Sequence, residues 1–64
     1  MGFGANLKKA RVDAGYTQKQ LADAIGVYQK DISRWEREEL VPSALTLAKI
    51  CRELKASADA ILEI

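Results

Sequence analysis

Apolar residues recur along this chain at spacings of three and four rather than in alternation, and five stretches of that pattern follow one another with little between them. Phe3, Leu7, Ala10 and Ala14 form the stripe of a first helix that stops at Gly15, with Gly2 and Gly4 expected to fray its start. Thr17 and Gln20 stand as a Thr-x-x-Gln capping box, and Tyr16 and Leu21 occupy the staple positions around it. The second helix that this starts buries Leu21, Ala22 and Ile25 and ends at Gly26. In the next stretch Tyr28, Ile32 and Trp35 share one face, while Gln29, Lys30, Ser33, Arg34 and Arg37 point elsewhere. Pro42 closes a loop, and Ser43 caps a fourth helix with the stripe Ala44, Leu47, Ile50, Cys51 and Leu54. Ser57 caps a short fifth, with Asp59 in its first turn and Ile61, Leu62 and Ile64 as apolar cover. The pattern predicts an all-α domain spanning residues 1–64, with no strand, internal repeat or linker.

The centre of this arrangement is Thr17 to Glu36, TQKQLADAIGVYQKDISRWE, two short helices joined by a turn of a few residues. Helices that cross steeply through so short a turn need a small residue inside the first and a glycine in the turn, and Ala22 and Gly26 meet both demands. Ile32 and Trp35 then wedge the second helix against the first. One side of it is made for a core and the other for something wet.

Composition narrows the chemistry. A single cysteine, Cys51, and no histidine leave neither a disulfide framework nor the usual ligands for a zinc site within one chain. Cys51 is most simply a small core residue. Apolar residues at 48% and charged ones at 30% fit an ordinary globular domain, and at this length only about 60% of the unfolded surface is buried, so the core must be single. The longest uncharged run, Leu40 to Ala48, is broken by Pro42 and falls well short of the roughly 18 to 20 residues of a membrane span. The opening MGFGAN carries neither a signal-peptide pattern nor a myristoylation site, so a cytoplasmic setting without membrane attachment is expected. The net charge of +1 says little as a total. Its distribution says more: Lys8, Lys9 and Arg11 cluster, as do Lys30, Arg34 and Arg37, while Glu36, Glu38 and Glu39 follow the central stretch.

At these residues the chain resembles the helix-turn-helix domains of the phage repressor and Cro-like (XRE-type) family. TQKQLADAIGV is similar to the family's Thr-Gln, Ala and Gly pattern, ISRWE to its Ile-Ser-x-x-Glu segment, and Pro42-Ser43 to the opening of its fourth helix. The resemblance covers nearly the whole chain and implies a compact five-helix, lambda-repressor-like DNA-binding domain with its helix-turn-helix at the second and third helices. It also implies a transcriptional regulator, a repressor in the first instance, that reads double-stranded DNA as a homodimer on a partly palindromic site. Gln18 matches a residue that touches the sugar-phosphate backbone, Gln29 and Lys30 match positions that reach base edges, and Ser33 and Arg34 match positions further along the same face. Arg11 and Glu36 match a partly buried ion pair close to DNA.

The side-chain chemistry agrees: a glutamine amide fits adenine N7 and N6, and lysine or arginine fits guanine O6 and N7. The amides at Thr17 to Lys19 make a phosphate seat at a helix start, and Arg37 extends the basic face. Tyr28 is open between a core role and a hydroxyl contact to phosphate, and Arg34 between DNA and a helical ion pair with Asp31 or Glu38. Tyr28 stands where relatives place a Ser or Thr cap, Lys55 where they place a helix-ending glycine. The loop Glu38, Glu39, Leu40, Val41 is expected to make fewer phosphate contacts than its counterparts. A protein-interaction module of the same fold, antitoxin-like or polymerase-contacting, is the alternative favoured by that acidic loop. An enzyme has neither a histidine nor a thiol with an activating partner behind it, and no cofactor, metal or small-molecule ligand is implied. Dimerisation is expected through Leu40 and Val41 or through Ile61, Leu62 and Ile64.

Overall fold

A computed structural model of the chain describes residues 2–55. Four helices occupy them, α1 (Phe3–Asp13), α2 (Gln18–Ile25), α3 (Gln29–Glu36) and α4 (Ala44–Leu54), with no strand among the described residues. The expected fifth helix, with Ser57, Asp59, Ile61, Leu62 and Ile64, lies outside them. Each helix contributes one of the four largest fully buried side chains, Leu7, Leu21, Ile32 and Ile50 in chain order. Ala22, Ile25, Trp35 and Leu54 complete the buried cluster, and Phe3, Ala10, Tyr16, Val27, Leu47 and Cys51 pack partly buried against it. Burying one such aliphatic side chain stabilises by about 1.5–3 kcal/mol, so four helices that are each too short to persist alone hold one another.

The helix ends follow the residues that specify them. Thr17 accepts from the amide of Gln20 at 3.0 Å while the Gln20 side chain accepts from the amide of Thr17 at 2.9 Å, a complete capping box. Ser43 caps α4 by accepting from the amide of Thr46 at 3.2 Å. Lys55, at the end of α4, takes the left-handed conformation that a glycine would adopt freely. Partial burial raises the Cys51 thiol above its ordinary value, in keeping with a packing residue.

Two alanines assigned to core stripes are solvent-exposed instead, and Tyr28, left open between core and phosphate, lies on the solvent side. Ala14 and Ala44 are at helix ends, where a methyl group has little hold on the packing. Tyr28 is 73% exposed at the N-cap of α3, one turn before Ile32, and its ring lies outside the core cluster. On α1 the place of Ala14 is taken by Arg11, which is buried.

Gly4 also departs from expectation. It does not fray α1 but is buried where α1 meets the end of α3, so close that an added Cβ would stand 2.5 Å from the backbone oxygen of Glu36. Its amide donates to the carboxylate of Glu38 at 3.1 Å. That bond satisfies one of the orphan amides of the first turn and places an anion at the positive end of the helix.

Candidate nucleic-acid interface

The α2–α3 pair is fixed at both ends of its turn. Gly26 adopts the left-handed conformation with φ of 76°, which lets its amide and that of Val27 both reach the carbonyl of Ala22, at 2.9 and 3.0 Å. With Ala22 buried, nothing bulky separates the two helices at this point. Ile32, fully buried, and Trp35, nearly so, lock one side of α3 into the core, and the opposite side is left in solvent.

A polar cluster sits at the far end of α3. Glu36 Oε2 accepts from Arg11 Nε at 2.6 Å, and Glu36 Oε1 accepts from Arg11 Nη2 at 3.2 Å and from Gln18 Nε2 at 3.0 Å. Arg11 Nη1 donates to the carbonyl of Tyr16 at 2.8 Å, so the guanidinium joins α1, the α1–α2 turn and α3. Such a two-point guanidinium–carboxylate pair is charge-assisted and geometrically specific. Its side chains are only 9% and 6% exposed, which makes this the one ion pair among the described residues that solvent does not screen. Beside it the Tyr16 hydroxyl donates to the Glu53 carboxylate, tying the α1–α2 turn to α4 and holding the phenol above its ordinary pKa.

The expected contact residues fall into two groups. Gln29 and Arg34 are exposed on α3 and their side chains make no hydrogen bond or ion pair with the described residues, so Arg34 pairs with neither Asp31 nor Glu38. Lys30 is also exposed, with its ammonium 5.6 Å from the centroid of the Tyr28 ring. The second group is already engaged. Arg37 donates to Ser33 Oγ at 2.8 Å and to the Glu39 carboxylate at 3.0 and 3.3 Å. Gln18 is half-buried against Glu36, and the amide of Thr17 is taken by Gln20, which leaves the amides of Gln18 and Lys19 at the open start of α2.

The acidic loop reads differently in three dimensions. Glu38, with φ of 61°, folds back on Gly4, and Glu39 neutralises Arg37, so neither carboxylate stands alone. Glu38 and Gly4 are the residues that sequence reasoning missed. Their contact spans more than thirty residues of chain and leaves no trace in local spacing. Among the described residues, no group of three or more His, Cys, Asp or Glu side chains is arranged to hold a metal ion, and no helix is long and apolar enough to cross a membrane.

Comparison with known proteins places this geometry. The sequence model of a family described as helix-turn-helix matches residues 7–61. The HTH-type transcriptional regulator ImmR of Bacillus subtilis is 37% identical over 62 residues, covering 97% of this chain and 49% of ImmR. The match to the SPbeta prophage-derived regulator YonR of the same organism, 34% identical, covers 56% of that protein, so the chain spans about half the length of the curated relatives it matches. Among solved structures, the P22 c2 repressor in complex with a synthetic operator superposes with a TM-score of 0.91 at 28% identity, covering 98% of this chain and 96% of that one. SinR, the master regulator for biofilm formation, solved in complex with DNA, superposes with a TM-score of 0.85 at 32% identity, covering 92% of this chain and 98% of that one. The chain belongs to the helix-turn-helix family, in its phage repressor and Cro-like form, with α2 and α3 as the paired helices.

Proposed function

We propose that this domain binds double-stranded DNA sequence-specifically, with α3 in the major groove, and regulates transcription in the manner of a repressor. The observation that carries the reading is the outer face of α3. Gln29, Lys30 and Arg34 are exposed there without acidic partners among the described residues, on a helix whose other side is anchored by Ile32 and Trp35. Those three side chains supply the donor and acceptor groups that major-groove edges of adenine and guanine demand. The amides of Gln18 and Lys19 seat a phosphate, and Gln18, steadied by Glu36, orients the domain on the backbone. Thr17 flanks that seat. Ser33 and Arg37, bonded to each other, contribute to the edge of the interface and depend on the release of Arg37 from Glu39.

A single module of this size presents few base contacts, so a homodimer on a two-fold-related site is the form that reaches tight selective binding, with half-sites about one helical turn, roughly 34 Å, apart. Leu40, Val41 and Leu45, all exposed, offer apolar surface for such pairing.

The reading is tested by selecting bound duplexes from a random pool and titrating the recovered site at several salt concentrations. The expected result is a two-fold-related consensus, with log affinity falling linearly in log salt at a slope of about −0.9 per phosphate neutralised. A pool that yields no enriched sequence, together with a stable complex between this domain and another protein, would transfer the assignment to the interaction-module reading.

A further inference from the structure

Tyr28 is a large aromatic residue with no visible duty in the fold. It stands at the N-cap position of α3 but makes no capping hydrogen bond, and it lies 73% exposed outside the core cluster. Ser, Thr or Asp at this position would cap the helix and stabilise it, and that contribution is forgone here for an exposed ring. The position is the end of α3 that enters the groove first when a helix of this kind docks. Lys30 holds its ammonium 5.6 Å from the ring centroid, within the range of a cation–π contact, so the two side chains restrain each other.

The chemistry of the groove says what such a pair would recognise. Thymine alone among the unmodified bases presents an apolar group there, its C5-methyl, and an aromatic surface packs on it. The ammonium fits guanine O6 and N7. Ring and ammonium lie side by side, 5.6 Å apart, so the two side chains face neighbouring base pairs rather than distant ones. We propose that Tyr28 and Lys30 form a composite specificity element that reads a thymine methyl and a guanine on neighbouring base pairs in each half-site. The proposal rests on the DNA-binding reading above and assigns the part of the sequence that Tyr28 and Lys30 select.

The test uses the duplex recovered by selection, with each thymine replaced in turn by deoxyuridine, which removes the methyl group and keeps the pairing edge. For the unmodified protein one thymine per half-site should respond, with affinity falling about 3- to 10-fold, the size expected for one buried methyl. Tyr28→Ala should bind the thymine and deoxyuridine duplexes alike, while Tyr28→Phe should keep the discrimination. In parallel, 7-deazaguanine at the neighbouring guanine should weaken the unmodified protein but leave Lys30→Met indifferent. Both positions are exposed, so thermal unfolding of the variants should match that of the parent. Discrimination against deoxyuridine that persists undiminished in Tyr28→Ala, or an enriched duplex with no methyl-sensitive thymine, overturns the proposal and leaves the DNA-binding reading standing. If no duplex is enriched at all, both fall.

Discussion

Replacing Glu36 by alanine is expected to destabilise the domain by about 3–5 kcal/mol, the range for leaving one member of a buried ion pair uncompensated. The Arg11 guanidinium, 9% exposed, would lose both of its bonds to Glu36 and keep only the carbonyl of Tyr16. Gln18 would lose its acceptor in the same step. A domain of this length has only about 3–10 kcal/mol to lose, at roughly 0.05–0.15 kcal/mol per residue, so much of the population would unfold. Removing both charges tells the cause apart from mere loss of contact. Arg11→Met combined with Glu36→Leu replaces the pair by apolar side chains of similar size, and it should recover most of the midpoint in urea denaturation. Equal losses in the single and double variants would show that Arg11 finds water when Glu36 is gone. The double variant should nevertheless bind DNA poorly, because Gln18 is no longer steadied against α3.

The second large effect is expected at Gly4. Replacing a helical glycine by alanine ordinarily stabilises by about 0.5–1 kcal/mol. Here the new methyl would stand 2.5 Å from the carbonyl oxygen of Glu36 and 2.7 Å from the Cγ of Glu38. The first of these is backbone and cannot rotate away, so α1 and the end of α3 must separate. Overpacking of this kind costs about 1–3 kcal/mol, which outweighs the helical preference and makes the net change destabilising. The displacement also reaches function, since the Gly4–Glu38 bond and the Arg11–Glu36 pair hold the same end of α3. Chemical denaturation of Gly4→Ala should show a lowered midpoint with an unchanged slope. A more stable variant would mean that the α1–α3 junction yields freely.

What the sequence made legible was what neighbours in the chain decide. The capping box of Thr17 and Gln20, the glycine turn at Gly26, the Ser43 cap and the wedge of Ile32 and Trp35 all follow from spacings of a few residues, and each stands in the structure where the pattern put it. The resemblance added the pairing of Arg11 with Glu36, which no local pattern contains. The remaining features escaped for physical reasons. Gly4 and Glu38 meet across the fold, and a glycine near a helix start looks like a weak end until its neighbour is known. Tyr28 fits the apolar period of α3, yet a ring with a hydroxyl is as much at home in water, and at a helix boundary the period no longer decides. Ala14 and Ala44 were misplaced because a methyl at a helix end buries too little to fix its side. The acids of the loop looked repulsive only while Gly4 and Arg37 were not known to be their partners.

The central claim is that the outer face of α3 reads base edges while the rest of the fold holds it in place. The most direct measurement is a side-chain chemical-shift titration of the isotope-labelled domain with its selected duplex. The account predicts the largest changes at the Gln29 amide and the Arg34 guanidinium, with smaller ones at Gln18. The groove between α2 and α4, lined by Asp23, Lys49 and Arg52, should remain silent. Changes centred on that groove, with Gln29 and Arg34 unmoved, would contradict the account.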